Sequence, residues 1–426
     1  MKKSESILMK LKVFTHYLPL LLKGEMSFRR FVAFMRRMSF FLSKMGHNKF
    51  VKFNGGTRFG FYIPTYPSRA FCTTTDKFRT FEGKFPCINV LLSVTSACMH
   101  KCEYCYQRRD AGADMDLDLL IATARKLQDM GIALFSIEGG EPFLRYDRLK
   151  ALCDSIDDRS EIWVNSNGWG MTVERLKELR IAAVTFSLHH PEPEAFNKFM
   201  GNEQAWAHME QGIKACHEAG VPVTFNTCLM KEAFYDGTFE KVMDYAKEQG
   251  VLMIQLIKPK PAGGWLLNDE LLFSEEDMKA AKVKIHMYNK DKKYSAFPAI
   301  SAQIIEEQPD VFGCTAGGTD RFYINAKGDV QPCEFLNISF GNIADEKFED
   351  IYDRMRACFE TPGERILCEE AAKKIAALYK QHNLNSLPLP PELSKQVYEE
   401  WDRGAATELY RITVASGELR VASERP

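Results

Sequence analysis

The sequence predicts an α/β protein: a partial (β/α)6 TIM-like barrel, open on one side, with an N-terminal helical segment and a small C-terminal β-hairpin/α subdomain. Between Ile88 and Ile257 six short β-rich runs alternate with amphipathic stretches, and such alternation implies parallel strands joined by helical crossovers. Six units fall short of the eight that close a barrel. Near Phe312 the composition changes, with Cys, Gly and Asn recurring around two short strand-like runs, which marks off a separate piece. With 426 residues, 45% hydrophobic and 27% charged, the chain has ample material for a core, which excludes disorder and fibres.

In chain order, residues 1–85 read as helices and a linker. From Phe28 to Met45 the apolar positions Phe28, Phe31, Val32, Met35, Met38, Leu42 and Met45 recur at helical spacing, with Arg29, Arg30, Arg36, Arg37 and Lys44 on another face. No strand pattern is read in the first 54 residues, and the two prolines of Tyr62 to Ser68 make an extended linker. The barrel, 86–265, has its strands at Ile88 to Thr95, Leu134 to Glu138, Glu161 to Asn165, Ala183 to Leu188, Val223 to Leu229 and Leu252 to Ile257. A helical connection follows over 266–311, with a helix at Phe273 to Lys290. In the subdomain, 312–370, Asn325 to Gly328 turns a hairpin between Arg321 to Ile324 and Asp329 to Pro332. Residues 371–426 form a helical tail.

Overall charge nearly cancels, with 56 Lys+Arg against 57 Asp+Glu. The first 54 residues, however, hold twelve Lys/Arg against Glu5 and Glu25, a net +10 that leaves −11 on the rest. The N-terminal apolar stretch is broken by Lys10 and Lys12 and lacks a small-residue cleavage site, and no run reaches the roughly 20 residues of a membrane span. The expected location is therefore the cytoplasm, where clustered thiols bind metal or do chemistry more often than they pair.

The strongest signal is Cys98, Cys102 and Cys105, a C-x3-C-x2-C placed just after the first barrel strand, at the end where such folds carry their chemistry. Three thiolates in eight residues can wrap an iron–sulfur cubane and leave one iron free for a substrate or cofactor, whereas a structural zinc or an electron-transfer cluster takes four ligands. The competing reading is a zinc knot completed by His100 or a distant Cys.

With Tyr104 ahead of the last Cys, this triplet resembles that of the radical S-adenosylmethionine (SAM) superfamily. Gly139, Gly140, Glu141 and Pro142 stand thirty-four residues after Cys105, beyond the second strand, and resemble the family's GGEP element, which holds the SAM amino group. Further matches are Asn165 in VNSNG at the end of the third strand and Ser187 at the end of the fourth. There His189 occupies a place where the family commonly has an acid; the helix cap is the other reading of His189 and His190. Asn226 on the fifth strand is a candidate cofactor contact, with plain packing as its alternative. The resemblance implies a [4Fe–4S] cluster, bound SAM, and a low-potential electron donor such as flavodoxin or ferredoxin. The enzyme would be of the oxidoreductase or C–C/C–S bond-forming kind, acting through a 5′-deoxyadenosyl radical that takes hydrogen from an unactivated C–H bond.

Cys314, then Gly328 with four residues between it and Cys333, resembles the SPASM/twitch extension of the same superfamily, which binds auxiliary [4Fe–4S] clusters. The dense cysteine run of the two-cluster form is absent; only Cys358 and Cys368 follow, which implies the shorter form with one auxiliary cluster. Four cysteines would make it a relay, and three would leave an open iron. Cys72, Cys87, Cys153, Cys216 and Cys228 read as core residues, with Cys72 and Cys87 also able to reach a cluster.

For the substrate, the basic helix with its Phe/Met face fits either an anionic bilayer, pointing to a peripheral enzyme acting on a membrane lipid or lipid-linked molecule, or a helix packed on the barrel. Peptide maturation is the rival enzyme reading, lowered by the lack of strand signals for a peptide-binding module in the first 85 residues. Outside enzymes stand an iron–sulfur electron carrier and a zinc-stabilised interaction protein, neither of which needs a GGEP element. No nucleic-acid-binding fold accompanies the charge.

Overall fold

The computed structural model describes residues 3–79, 87–266, 268 and 271–411. The chain opens with two helices, α1 (Lys3–Leu22) and α2 (Phe28–Lys44), and α3 (Arg69–Arg79) follows the first linker. Ser27 caps α2 by accepting the Arg30 N–H. Phe31, Phe34, Met38, Phe41 and Leu42 of α2 are buried in one cluster with Met9, Val13 and Tyr17 of α1 and Phe71 and Phe78 of α3. The Phe/Met face that suits a bilayer is thus consumed by packing, because α1 and α3 bring apolar stripes of their own. Arg37, on the basic face, is buried too and donates to the Phe78 carbonyl at 3.0 Å.

The all-helical reading of the N-terminal segment fails at its end. Val51–Phe53 (β1) and Gly56–Arg58 (β2) form an antiparallel hairpin whose turn residues, Asn54 and Gly55, have φ of 45° and 75°. Two successive positive φ values define the tight primed turn that Asn-Gly favours, so the dipeptide was the overlooked signal. Phe53 and Phe61 pack on Leu134, Trp163, Ala183, Met253 and Ala299 at the starts of the barrel strands and close that end. Beneath them the fully buried Arg58 pairs with Glu161 at 2.5 Å, donates to the Phe61 carbonyl at 2.7 Å, and lies 4.2 Å over the Trp163 ring. Glu161→Ala strands this charge in the core, and a loss of about 3–5 kcal/mol in urea unfolding is expected; a loss below about 1 kcal/mol would show that the pair is not an anchor of the plug.

The six expected barrel strands are present: β3 (Asn89–Ser93), β4 (Leu134–Glu138), β5 (Glu161–Ser166), β6 (Ala183–Ser187), β7 (Val223–Cys228) and β8 (Met253–Ile257), all parallel and paired in sequence order. Between them run α4 (Leu117–Asp129), α5 (Tyr146–Ser155), α6 (Val173–Glu178), α7 (Pro193–Met200), α8 (Ala205–Ala219) and α9 (Thr238–Glu248), sharing one core with the strands. The connection holds the expected helix, α10 (Glu275–Lys290), and also β9 (Ala299–Ala302), a parallel partner of β8 whose short small-residue run carries no strand pattern. A short helix, α11 (Gln303–Glu306), follows.

The C-terminal hairpin, β10 (Arg321–Ile324) and β11 (Val330–Gln331), is not a detached sheet. β10 runs parallel to β3, with Arg321 opposite Asn89, so nine strands form one sheet with β11 and β9 at its edges. Phe322, Tyr323 and Ile324 are all buried, and a strand that is apolar on both faces needs a sheet covered on both sides. The rest is α12 (Phe348–Cys358), α13 (Leu367–Glu370), α14 (Ala372–Gln381) and α15 (Pro391–Tyr398). No helix among the described residues is long and apolar enough to cross a membrane.

Candidate active site

With its strand starts plugged, the barrel opens at the C-terminal ends of its strands, onto a cavity of about 520 Å³. Cys98, Cys102 and Cys105 line it from the loop after β3. Asp114 fastens the start of this loop, accepting from the Thr95 hydroxyl at 2.6 Å and the Ser96 N–H at 2.8 Å. Gly263 and Gly264 press on its far side, where a Cβ on Gly264 would lie 1.9 Å from the Glu103 carbonyl oxygen.

Burial, reinforced by neighbouring sulfurs of the triplet, pushes the Cys102 thiol up to about 12 and the Cys105 thiol to about 11. Cys98 is also raised, chiefly by burial. Without metal these groups are thiols, so iron binding must displace protons. Among the described residues no three His, Cys, Asp or Glu side chains are gathered to ligate a single ion. His100, the fourth ligand of a zinc knot, lines the same cavity, with its ring stacked 5.9 Å from that of His208. The three sulfurs line one cavity and lie in one another's field, as the ligands of one cluster would.

The GGEP turn meets this loop directly. Gly140 N–H donates to the Thr95 carbonyl at 2.8 Å and Glu141 N–H to the Ala97 carbonyl at 2.7 Å. A Cβ on Gly140 would lie 2.2 Å from the Ala97 oxygen, so the close approach requires glycine. Gly139 and Gly140 line the cavity; Glu141 and Pro142 do not. The fully buried Glu141 carboxylate turns away and accepts from Ser166 Oγ (2.8 Å), Asn167 N (2.7 Å) and Phe143 N (3.0 Å), tying the turn to the end of β5. Its side chain is therefore a strut, and only the Gly139–Gly140 backbone faces the space where a cofactor would lie.

Asn165, Ser187 and Asn226 all line the same cavity. Strand register sets Ser187, Asn226, Gln255 and Ser301 in one row across β6 to β9. Asn165 donates to Glu138 Oε1 at 2.6 Å, while the buried Oδ1 atoms of Asn165 and Asn226 have no hydrogen-bond partner. Orphaned acceptors in a cavity call for a ligand that carries donors. His189 serves neither as an acid nor as a helix cap. Burial lowers it to about 3, its Nδ1 accepts the Cys228 N–H at 2.9 Å, and Nε2 donates to the Tyr104 hydroxyl at 2.7 Å, fixing the aromatic beside Cys105. His190 does sit at a helix start, with Nδ1 accepting the Glu192 N–H ahead of α7.

Several cavity residues were missed in the sequence. Glu138, held by the Tyr106 hydroxyl and pushed up to about 7 by burial, faces the cavity from the end of β4, and Gln255 does so from β8. Their signal was polar residues inside strands that, being buried on both faces, would otherwise be apolar. Cys228, read as core, also lines the cavity.

A second, smaller cavity of about 90 Å³ is lined by Cys314, Cys333 and Cys368, together with Phe41 and Met45 from the N-terminal segment. Cys358 does not line it; at the end of α12 its carbonyl accepts from Arg403 at 3.1 Å. The expected set of four cysteines is thus three gathered and one apart. Cys72 and Cys87 are elsewhere, Cys72 against His16 and Cys87 against the carbonyls of Asn89 and Asp320. Between the cavities Lys260, buried and facing the larger one, pairs with Glu307 at 2.7 Å and with Glu369, the neighbour of Cys368, at 2.8 Å.

An open parallel barrel with three thiols at its C-terminal mouth, a glycine-rich turn against them and a second thiol cluster beyond defines an iron–sulfur enzyme that uses SAM. The sequence profile of the Radical SAM superfamily matches residues 92–246, and that of the SPASM iron–sulfur cluster-binding domain matches 314–373. The chain is a radical SAM enzyme with a SPASM extension, and its cofactors are SAM, the [4Fe–4S] cluster of the barrel and auxiliary iron–sulfur chemistry in the extension. It is 23% identical to the AdoMet-dependent heme synthase of Nitratidesulfovibrio vulgaris, over 64% of this chain and 81% of the relative. With a probable GTP 3′,8-cyclase of Methanococcus maripaludis it shares 24%, over 63% and 93%. Among solved structures, Streptococcus suis SuiB bound to its precursor peptide SuiA aligns with a TM-score of 0.51 at 16% identity, over 66% of this chain and 68% of SuiB. The enzyme anSMEcpe with bound AdoMet and Cp18Cys peptide aligns at 0.50 and 16%, over 77% and 95%. At these identities the likeness is one of fold.

Proposed function

We propose that Cys98, Cys102 and Cys105 ligate the SAM-binding cluster and that Gly139, Gly140, Asn165, Ser187 and Asn226 hold SAM against it. Held there, the pair would supply one-electron cleavage of the sulfonium C–S bond, chemistry able to take hydrogen from an aliphatic C–H bond of the substrate. This chain's residues orient and shield: the Tyr104–His189 pair screens the loop beside Cys105, and the Asn165 and Asn226 amide oxygens accept from the cofactor. Cys314, Cys333 and Cys368 hold one auxiliary cluster, with Lys260 in the wall between the sites. The units are the barrel, 86–265, and the extension, 312–370. The observation that carries this reading is the convergence, in one cavity, of three mutually close thiols and two buried acceptors without partners.

For the substrate we propose a lipid or lipid-linked molecule, whose inert aliphatic carbon calls for radical chemistry; the support is the +10 N-terminal segment. With SAM, dithionite and perdeuterated anionic phospholipid, the reconstituted enzyme is expected to form 5′-deoxyadenosine carrying deuterium. Unlabelled 5′-deoxyadenosine would retain the SAM chemistry and remove that lipid as substrate.

A further inference from the structure

We propose that the outer face of α1, in a strongly basic segment, is a docking surface for an anionic lipid bilayer. Helix α1 buries Met9, Val13 and Tyr17 against the N-terminal core and turns the opposite side outward. Ile7 is 65% exposed, Leu11 56%, Phe14 37% and Leu22 76%, with Leu18 partly buried among them. At 100° per residue these five fall within an arc of about 80°. Phe28, at the start of α2, is 71% exposed as well. Single exposed apolar residues are ordinary, but a continuous row four turns long is an interaction surface.

Charge selects the occupant. Lys12 on α1, Lys23 in the turn after it, and Arg30 and Arg36 on α2 are exposed, in a segment whose net charge is +10 while the rest of the chain carries −11. An apolar row in a strongly basic segment matches the headgroup–acyl boundary of an anionic membrane, where apolar side chains enter the acyl region and Lys and Arg reach the phosphates. Helix α2 backs this face and reaches, through Phe41, the wall of the smaller cavity, so the surface is part of the enzyme's packed body. The lipid substrate proposed above rests on this surface, whereas the surface does not rest on the radical chemistry.

The test is flotation of the full chain with vesicles of phosphatidylcholine, with and without about 30 mol% phosphatidylglycerol. Binding is expected to need the anionic lipid, to weaken as salt rises, and to fall at least about tenfold in Leu11→Asp/Leu22→Asp and in Arg30→Glu/Arg36→Glu. Leu11→Ser/Leu22→Ser, which removes apolar area without adding charge, should lose binding while keeping circular dichroism, iron content and 5′-deoxyadenosine formation. Failure of the wild type to float overturns the proposal, as does equal flotation of the leucine variants. A dimer in solution that the leucine variants dissociate would assign the face to a second copy of the chain and overturn it as well.

Discussion

Cys102→Ala is expected to abolish reductive SAM cleavage, taking 5′-deoxyadenosine to background, and to lower bound iron from about eight to about four per chain. The reason is arithmetic of ligands: with one of three thiolates gone, two corners of a cubane remain held, and neither the cluster nor its open position survives. Folding should be little affected. The Cys102 sulfur lies 3.2 Å from the Met200 carbonyl in a partly exposed loop, and losing it costs about 1 kcal/mol of burial. Cys228→Ala is the matched control, since Cys228 lines the same cavity outside the triplet and should keep all the iron. Iron counting and product chromatography under anaerobic conditions decide it; SAM cleavage that persists in Cys102→Ala would remove the triplet from its role.

The second large effect separates two cysteines ten positions apart. Cys368→Ala should lose the auxiliary cluster, again about four irons, while Cys358→Ala keeps all eight or so. Cys314, Cys333 and Cys368 line one cavity, with Cys368 in the field of the other two, whereas Cys358 lies outside that lining, near Tyr398 and Arg403, the latter also facing Cys314. A three-thiolate site would leave one iron without a protein thiolate, and Tyr62 and Phe335 line both this cavity and the larger one. Loss of the second cluster in Cys358→Ala would restore the four-cysteine relay.

The parts of the fold legible in advance were those encoded by local pattern. The six barrel strands stand out because each is a short apolar run between helical periods, and the Cys98–Cys105 loop because three identical ligands fall within eight residues. The N-terminal hairpin was legible too, through Asn54-Gly55, but the helical pattern before it drew the reading. Nothing local distinguished β9, since Ala299–Ala302 becomes a strand only by pairing with β8.

What proximity decides lay beyond that reach. Glu141 resembles a ligand contact in the linear motif, yet its direction follows from two donors at the end of β5, Ser166 Oγ and Asn167 N, about twenty-five residues on. Cys358 and Cys368 look alike in the chain, and only the packing of α12 and α13 sends one away from the cavity. Helix α2 has the more amphipathic sequence, but α1 and α3 bury its apolar side and leave the less patterned α1 facing water. Residue order thus settled the chemistry available, through ligand identity and spacing and the strand–helix alternation. Which side chains meet that chemistry, and which surface remains free, was left to the folded packing, because a side chain's partner depends on contacts between segments far apart in the chain.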